Sequence, residues 1–132
     1  MAQPFPNHPN LRGGFAPLQM ECDVNDLVIE GEIPKELNGS FYRNGPNPQY
    51  APRGHYHWFG GDGMVHAFHI EDGQVAYRNR WVRTIKWHKE REAGRSLFSA
   101  FNPMDNDASV AGLETDGVAN TNIIWHGGKL LA

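Results

Sequence analysis

Met64, His66, Phe68 and Ile70 alternate with Val65, Ala67 and His69, a period of two that an extended strand places on opposite faces. Asp72-Gly73 follows, a dipeptide that accepts the positive φ angles of a tight hairpin turn. The chain then returns with Val75, Tyr77, Asn79, Trp81, Arg83, Ile85 and Trp87 on one face. Ala76, Arg78, Arg80, Val82, Thr84 and Lys86 occupy the other. A strand of that length is expected to bend or bulge partway. This hairpin commits the chain to β-structure, and the flanking segments have to supply its neighbours.

Residues 26–33 read as a short strand ended by Pro34, with a turn closed by Gly39 and a second strand over 40–43. That strand runs into the punctuated stretch Asn44-Gly45-Pro46-Asn47-Pro48. With 15 Gly and 9 Pro in 132 residues, many short strands are favoured over long helices. Residues 89–93 read as one helical turn stopped by Gly94, and 96–117 as loop. A strand over 118–125 meets His126-Gly127-Gly128, a second tight hairpin, whose return begins at Lys129. The return stops at Ala132, leaving a stub for a partner and open edge groups, so the chain reads as a fragment. Residues 1–25, with Pro4, Pro6, Pro9 and Pro17, form an extended N-terminal arm, either mobile or packed on a larger body. Residues 26–132 hold the first strands of an incomplete all-β domain.

Twelve basic and 15 acidic residues give a formal charge of −3, which argues against nucleic acid or anionic lipid as a main partner. The only cysteine, Cys22, allows no internal disulfide and no multi-cysteine zinc site. The proline-broken N-terminus lacks a signal-peptide core, and no window approaches the ~18 apolar residues of a membrane span. A cytoplasmic location is the default expectation.

The candidate chemistry is incomplete. His55 and His57 are two apart and His66 and His69 three apart, and neither pair has a third ligand nearby. His66 shares its face with Met64, Phe68 and Ile70, which favours a hydrogen-bonded structural role, and His126 is expected in an exposed turn. Gly60-Gly61-Asp62-Gly63 lacks the spacing and the Lys-Ser/Thr ending of a phosphate loop, so Asp62 is read as organising a turn. Cys22 lies between Glu21 and Asp23, neighbours that disfavour the thiolate a nucleophile needs. The four tryptophans, Trp58, Trp81, Trp87 and Trp125, are expected in packing rather than in a site.

Several ordered blocks nevertheless resemble the carotenoid cleavage oxygenase family, which includes lignostilbene-cleaving enzymes. Gly31-Glu32-Ile33-Pro34, Leu37-Asn38-Gly39 and Tyr42-Arg43-Asn44-Gly45-Pro46-Asn47-Pro48 resemble its opening signature. His57-Trp58-Phe59 and Gly61-Asp62-Gly63-Met64-Val65-His66-Ala67 resemble the next block, and Asn79-Arg80-Trp81-Val82-Arg83-Thr84 follows. Asn120-Thr121-Asn122 and His126-Gly127-Gly128-Lys129-Leu130-Leu131-Ala132 complete the match. The blocks span 26–132 and are specific in their order.

The resemblance implies the N-terminal portion of a seven-bladed β-propeller, incomplete in this chain. It implies a non-haem Fe(II) dioxygenase that uses O2 to cleave a carbon–carbon double bond of a carotenoid, apocarotenoid or stilbene. In the family the iron is held by four histidines, and none of the seven here matches a ligand position; those ligands lie beyond Ala132. No catalytic residue and no metal ligand is therefore assigned in this chain. Two departures stand out. Gly60 replaces an Asp that many members carry, and Phe101 stands before Asn102-Pro103 where lignostilbene-type members carry a Tyr. Phe101 is the one substrate-binding residue expected, and it lacks the hydroxyl that would hold a phenol. Family members often take lipophilic substrates from membranes through an apolar patch, which cannot be identified in this piece. Two other readings compete: a catalytically inactive truncated remnant, and a β-rich binding module for an apolar ligand.

Overall fold

The structure is a computed structural model that describes residues 3–115 and 117–132. Residues 1–2 of the expected arm and Asp116 of the expected loop lie outside the described residues. The hairpin is formed by β3, Gly63–Glu71, and β4, Gln74–Trp81. Asp72 and Gly73 turn it with φ of 48° and 76°, and Glu71 faces Gln74. β2, Gly39–Pro46, pairs antiparallel with β3 over its whole length. β1, Asp23–Val24, pairs with β4, giving a four-stranded sheet in the order β1-β4-β3-β2.

Register then decides the faces. Phe41, Phe68, Tyr77 and Val24 lie side by side across the sheet, and Phe68 packs on Tyr77 with ring centroids 5.0 Å apart. On the same face Met64 and Trp81 are buried with Trp87. His66 is half-buried there and bonds the Tyr77 hydroxyl through Nδ1 at 2.7 Å, the structural role its neighbours predict. Burial, then the Arg43 charge, push its pKa down. His126 is exposed in the second hairpin.

Three expected strands are corrected. The return strand does not reach Trp87: it stops at Trp81, and Ile85–Ala93 form a helix, α1. Thr84 caps that helix by accepting the Trp87 N–H on Oγ1 at 3.0 Å, and Gly94 closes it at φ 67°. Trp87 reaches the core from either conformation, so the apolar period continued while the backbone changed. The strand expected over 26–33 is absent: Leu27 N donates to Val75 O at 2.9 Å, but Val28 is 96% exposed and Gly31 has φ 93°. The edge of β4 is occupied upstream instead, where the Asn79 side chain bonds Cys22 N at 2.7 Å and Met20 O at 2.9 Å. Of the strand expected over 118–125, only Ile124–His126, β5, forms; it pairs with β6, Lys129–Leu131, across Gly127-Gly128. Residues 118 and 119 are tied to the first sheet instead, through Gly63 N to Val118 O at 2.7 Å and Asn44 Nδ2 to Ala119 O at 2.9 Å.

The arm is tethered at a few points, and most of its described residues are exposed. Leu11 is buried, and the Asn47 amide bonds both the N–H and the carbonyl of Leu18, at 2.7 and 2.8 Å. The loop over 96–117 carries short 3-10 turns, Pro103–Asp105 and Ala108–Val110, and buries Leu97, Phe98 and Val110 as a second small cluster.

Gly94→Ala tests the helix stop. The added methyl meets nothing within 4 Å, so only the left-handed backbone opposes it. A loss of about 1 kcal/mol in urea unfolding is expected, against no change if the helix end is not closed in this way.

Candidate functional site

The 3-10 turn Trp58–Gly60 is set by its neighbours. His57 Nδ1 accepts the Phe59 N–H at 3.2 Å, and the Asn120 amide donates to Phe59 O at 2.8 Å and Gly61 O at 2.7 Å. Phe59 stacks on Trp58, interplanar angle 19°, and meets the His57 ring edge-on at 4.6 Å. Facing this turn is the loop that carries Phe101, whose ring lies 6.0 Å from that of His57. The two loops touch at Gly60, where a Cβ would sit 2.2 Å from that of Ala100. Glycine at this position is therefore a condition of the close approach. Between the loops lies a cleft of ≈ 360 Å³ lined by Phe59, Phe98, Phe101, Leu113 and Val118 among others. Phe59 and Phe101 are 63% and 60% exposed, large aromatic faces turned to an open cleft.

Beneath the cleft lies the most buried polar cluster of the described residues. Lys86 Nζ donates to Asp62 Oδ1 at 2.6 Å and to Glu90 Oε2 at 2.7 Å. Asp62 also accepts the Gln49 N–H at 2.9 Å. Glu90 Oε1 accepts the N–H groups of Leu97 at 2.9 Å and Phe98 at 3.1 Å, and the Ser96 hydroxyl at 3.2 Å. Burial opposes the charge on Lys86, but the Asp62 and Glu90 carboxylates outweigh it and hold the ammonium pKa above its usual value. The buried Tyr56 phenol is pushed up to about 12, by burial and then by the Asp62 charge.

A second cavity, ≈ 390 Å³, lies against the polar side of the sheet beside Ser40, Tyr42, His69 and Arg78. Ser40 Oγ and His69 Nδ1 are 2.9 Å apart there, and Arg78 is paired with Asp23. Its ionic groups are already matched, whereas the aromatic cleft presents unoccupied apolar surface, so the cleft is the candidate site.

The structure brings Phe101, the expected substrate residue, to the cleft. Lys86 and Glu90 were not anticipated as a site element: their i,i+4 spacing was legible, but a strand reading of 75–87 hid it. Asp62 anchors a buried ion pair beyond the turn role expected for it. Trp81 and Trp87 are core residues as expected, while Trp125 is 69% and Trp58 37% exposed. Among the described residues no group of three or more His, Cys, Asp or Glu could hold a metal ion. The described residues alone therefore do not make up an iron site.

Mostly strand with one helix, the chain has the architecture of part of a carotenoid-oxygenase β-propeller. It aligns with the crystal structure of Pseudomonas brassicacearum lignostilbene dioxygenase at a TM-score of 0.89 and 40% identity, over 98% of this chain and 27% of that one. A sequence model of the family described as retinal pigment epithelial membrane protein matches residues 15–132, and the chain belongs to this family. It is 49% identical to isoeugenol monooxygenase of Pseudomonas nitroreducens, over 100% of this chain and 28% of that protein. It is 47% identical to lignostilbene-alpha,beta-dioxygenase isozyme III of Sphingomonas paucimobilis, over 97% of this chain and 26% of that protein. The chain thus spans about a quarter of the length of these relatives. No described helix is long and apolar enough to cross a membrane.

Two measurements check the buried cluster. Lys86→Met leaves two buried carboxylates unpaired and should cost about 3–5 kcal/mol in urea unfolding. Independently, the raised Tyr56 pKa means that the folded state holds a proton the unfolded chain has released. Stability is therefore full below pH ~10 and lost as pH rises toward ~12, with the raised Lys86 pKa adding to the fall. A flat unfolding midpoint across that window would contradict the buried environment of Tyr56.

Proposed function

We propose that the whole protein of which this chain is part is an oxygenase that cleaves the side-chain double bond of a propenylphenol or hydroxystilbene. One O2 is consumed per alkene: the carbon–carbon double bond breaks and each of its carbons leaves as a carbonyl, so atoms and electrons balance. The observation that carries the reading is the aromatic cleft between Phe59 and Phe101, in a chain nearly half identical to enzymes named for isoeugenol and lignostilbene. Such a cleft suits a flat, mostly apolar aromatic ligand, which it would hold by ring contacts. Fe(II) belongs to this reading as a cofactor of the whole protein, with ligands from residues other than those described here. Residues 26–132 are assigned to the first blades of the propeller domain and 1–25 to an arm that packs on it.

Phe101 carries the substrate selectivity in this proposal. Its ring offers contact but no hydroxyl, so a ligand's phenolic oxygen gains nothing from it. The whole protein, supplied with Fe(II) in air, should consume isoeugenol or 4,4′-dihydroxystilbene with one O2 each. Binding without O2 uptake would favour a non-catalytic module, and cleavage of an apocarotenal alone would overturn the substrate class. Phe101→Tyr should raise the preference for a free phenol over its methyl ether by about two- to tenfold in kcat/KM, the worth of one hydrogen bond.

A further inference from the structure

The buried Lys86 lies between two carboxylates whose remaining contacts lead in opposite directions. Asp62 sits two residues after the Trp58–Gly60 turn, on the strand of chain that carries Phe59. Glu90 lies one helical turn beyond Lys86 and grips the backbone of Leu97 and Phe98, three residues before Phe101. A continuous chain of short polar contacts therefore runs from one wall of the cleft to the other, through the floor between them. The two walls are in van der Waals contact at Gly60 and Ala100, so a small change in the floor alters their separation.

From this geometry we infer that the Asp62–Lys86–Glu90 bridge is a positioning device that sets the spacing of Phe59 and Phe101, and through it the fit of an aromatic ligand. Lys86 lies at the floor of the cleft, while Asp62 and Glu90 do not line it. The bridge acts through the two phenylalanines, and Lys86 is buried with both of its observed bonds spent on the carboxylates. The N–H groups of Gln49, Leu97 and Phe98 and the Ser96 hydroxyl supply the counter-dipoles that keep the surplus negative charge in place. Loops held by buried charge-assisted bonds have a defined spacing, whereas loops held by apolar contact alone can slide.

The inference rests on the cleft being the ligand site, and the test separates the two ideas. Glu90→Gln keeps the volume and one acceptor oxygen for the loop, but loses the charged bond to Lys86. It is made in the whole protein, alone and combined with Phe101→Ala, with isoeugenol as probe. A positioning role predicts a KM increase of about three- to tenfold with kcat within about twofold, and a single unfolding transition. In the Phe101→Ala background the same change should add less than about twofold, because the wall it positions is gone. An unchanged KM, or two effects that multiply independently, overturns the inference. Should Glu90→Gln fail to fold, Ser96→Ala removes the hydroxyl contacts to Glu90 and to the Phe98 carbonyl and leaves the Glu90–Lys86 pair in place. A KM rise with Ser96→Ala that disappears in the Phe101→Ala background supports the bridge, and an unchanged KM sinks it. If wild type does not act on isoeugenol at all, the functional reading fails by itself. The bridge is then judged by crystal structures of wild type and either variant: a Phe101 ring that moves away from the wild-type His57 separation supports it, and an unmoved ring overturns it.

Discussion

A lysine ammonium held out of water between two carboxylates is the constraint around which this chain is organised. Burying any one of these three charges alone would cost several kcal/mol, so each is admissible only because the others are present. One positive and two negative charges leave a surplus of one, and backbone N–H groups of Gln49, Leu97 and Phe98 face the carboxylate oxygens to absorb it. Those donors come from two separate loops. Satisfying the cluster electrostatically therefore also fixes the tertiary path of segments with no strand or helix of their own. Association of loop, helix and sheet is thus enforced by charge complementarity where apolar area is small: the nearby buried apolar clusters have three members each.

The same economy operates at the edges of the sheet. Irregular backbone packed against a body has polar groups that need partners. Here side-chain amides stand in for neighbouring strands. Asn47 bonds both backbone groups of Leu18, Asn79 those of Met20 and Cys22, and Asn44 the carbonyls of Ala119 and Asn122. Asn120 does the same for the turn under the cleft. A short amide with one acceptor and two donors can pair with backbone whose direction is wrong for a ladder. The arm before Asp23 and the segment after Gly117 are attached in this way, without adding strands to the four-stranded sheet.

This explains which parts of the fold were legible beforehand. The 63–81 hairpin was, because its pattern and its Asp72-Gly73 turn are local properties of the sequence. The second hairpin was legible in its Gly127-Gly128 turn, but the length of its first strand was not, since residues 118 and 119 answer to Asn44 and Gly63, distant in sequence. The helix over Ile85–Ala93 was missed for a different reason. Ile85 and Trp87 continue the two-residue apolar rhythm of β4, while the signals that start a helix, Thr84 at its cap and Lys86 four before Glu90, are weak beside it. Of the site, Phe101 was legible through the family's pattern. The clamp beneath it was not, because the strand reading hid the i,i+4 spacing of Lys86 and Glu90, and Asp62 is distant from both in sequence.

The residues that carry the family resemblance and the residues that face the cleft are then largely different sets with different physical work. Asn44, Asn47, Asp62, Asn79, Trp81 and Asn120 all lie within the quoted blocks, and each is spent on a backbone or buried partner. Phe101, by contrast, projects from a loop outside those blocks and is 60% exposed. A scaffold fixed by satisfied polar groups tolerates a change at such a position, since removing an exposed aromatic strands no buried donor or acceptor. Under the proposed function, a phenylalanine in place of a tyrosine there would alter what the cleft can recognise while leaving its walls where they are. Phe59 is the exception: it belongs to a block and also faces the cleft, with its carbonyl held by Asn120 and its ring stacked on Trp58. The fixed wall and the adjustable wall of the cleft are therefore distinguishable by how each is anchored. One is tied through its own backbone, the other through the Phe98 N–H three residues upstream, which the Glu90 carboxylate holds.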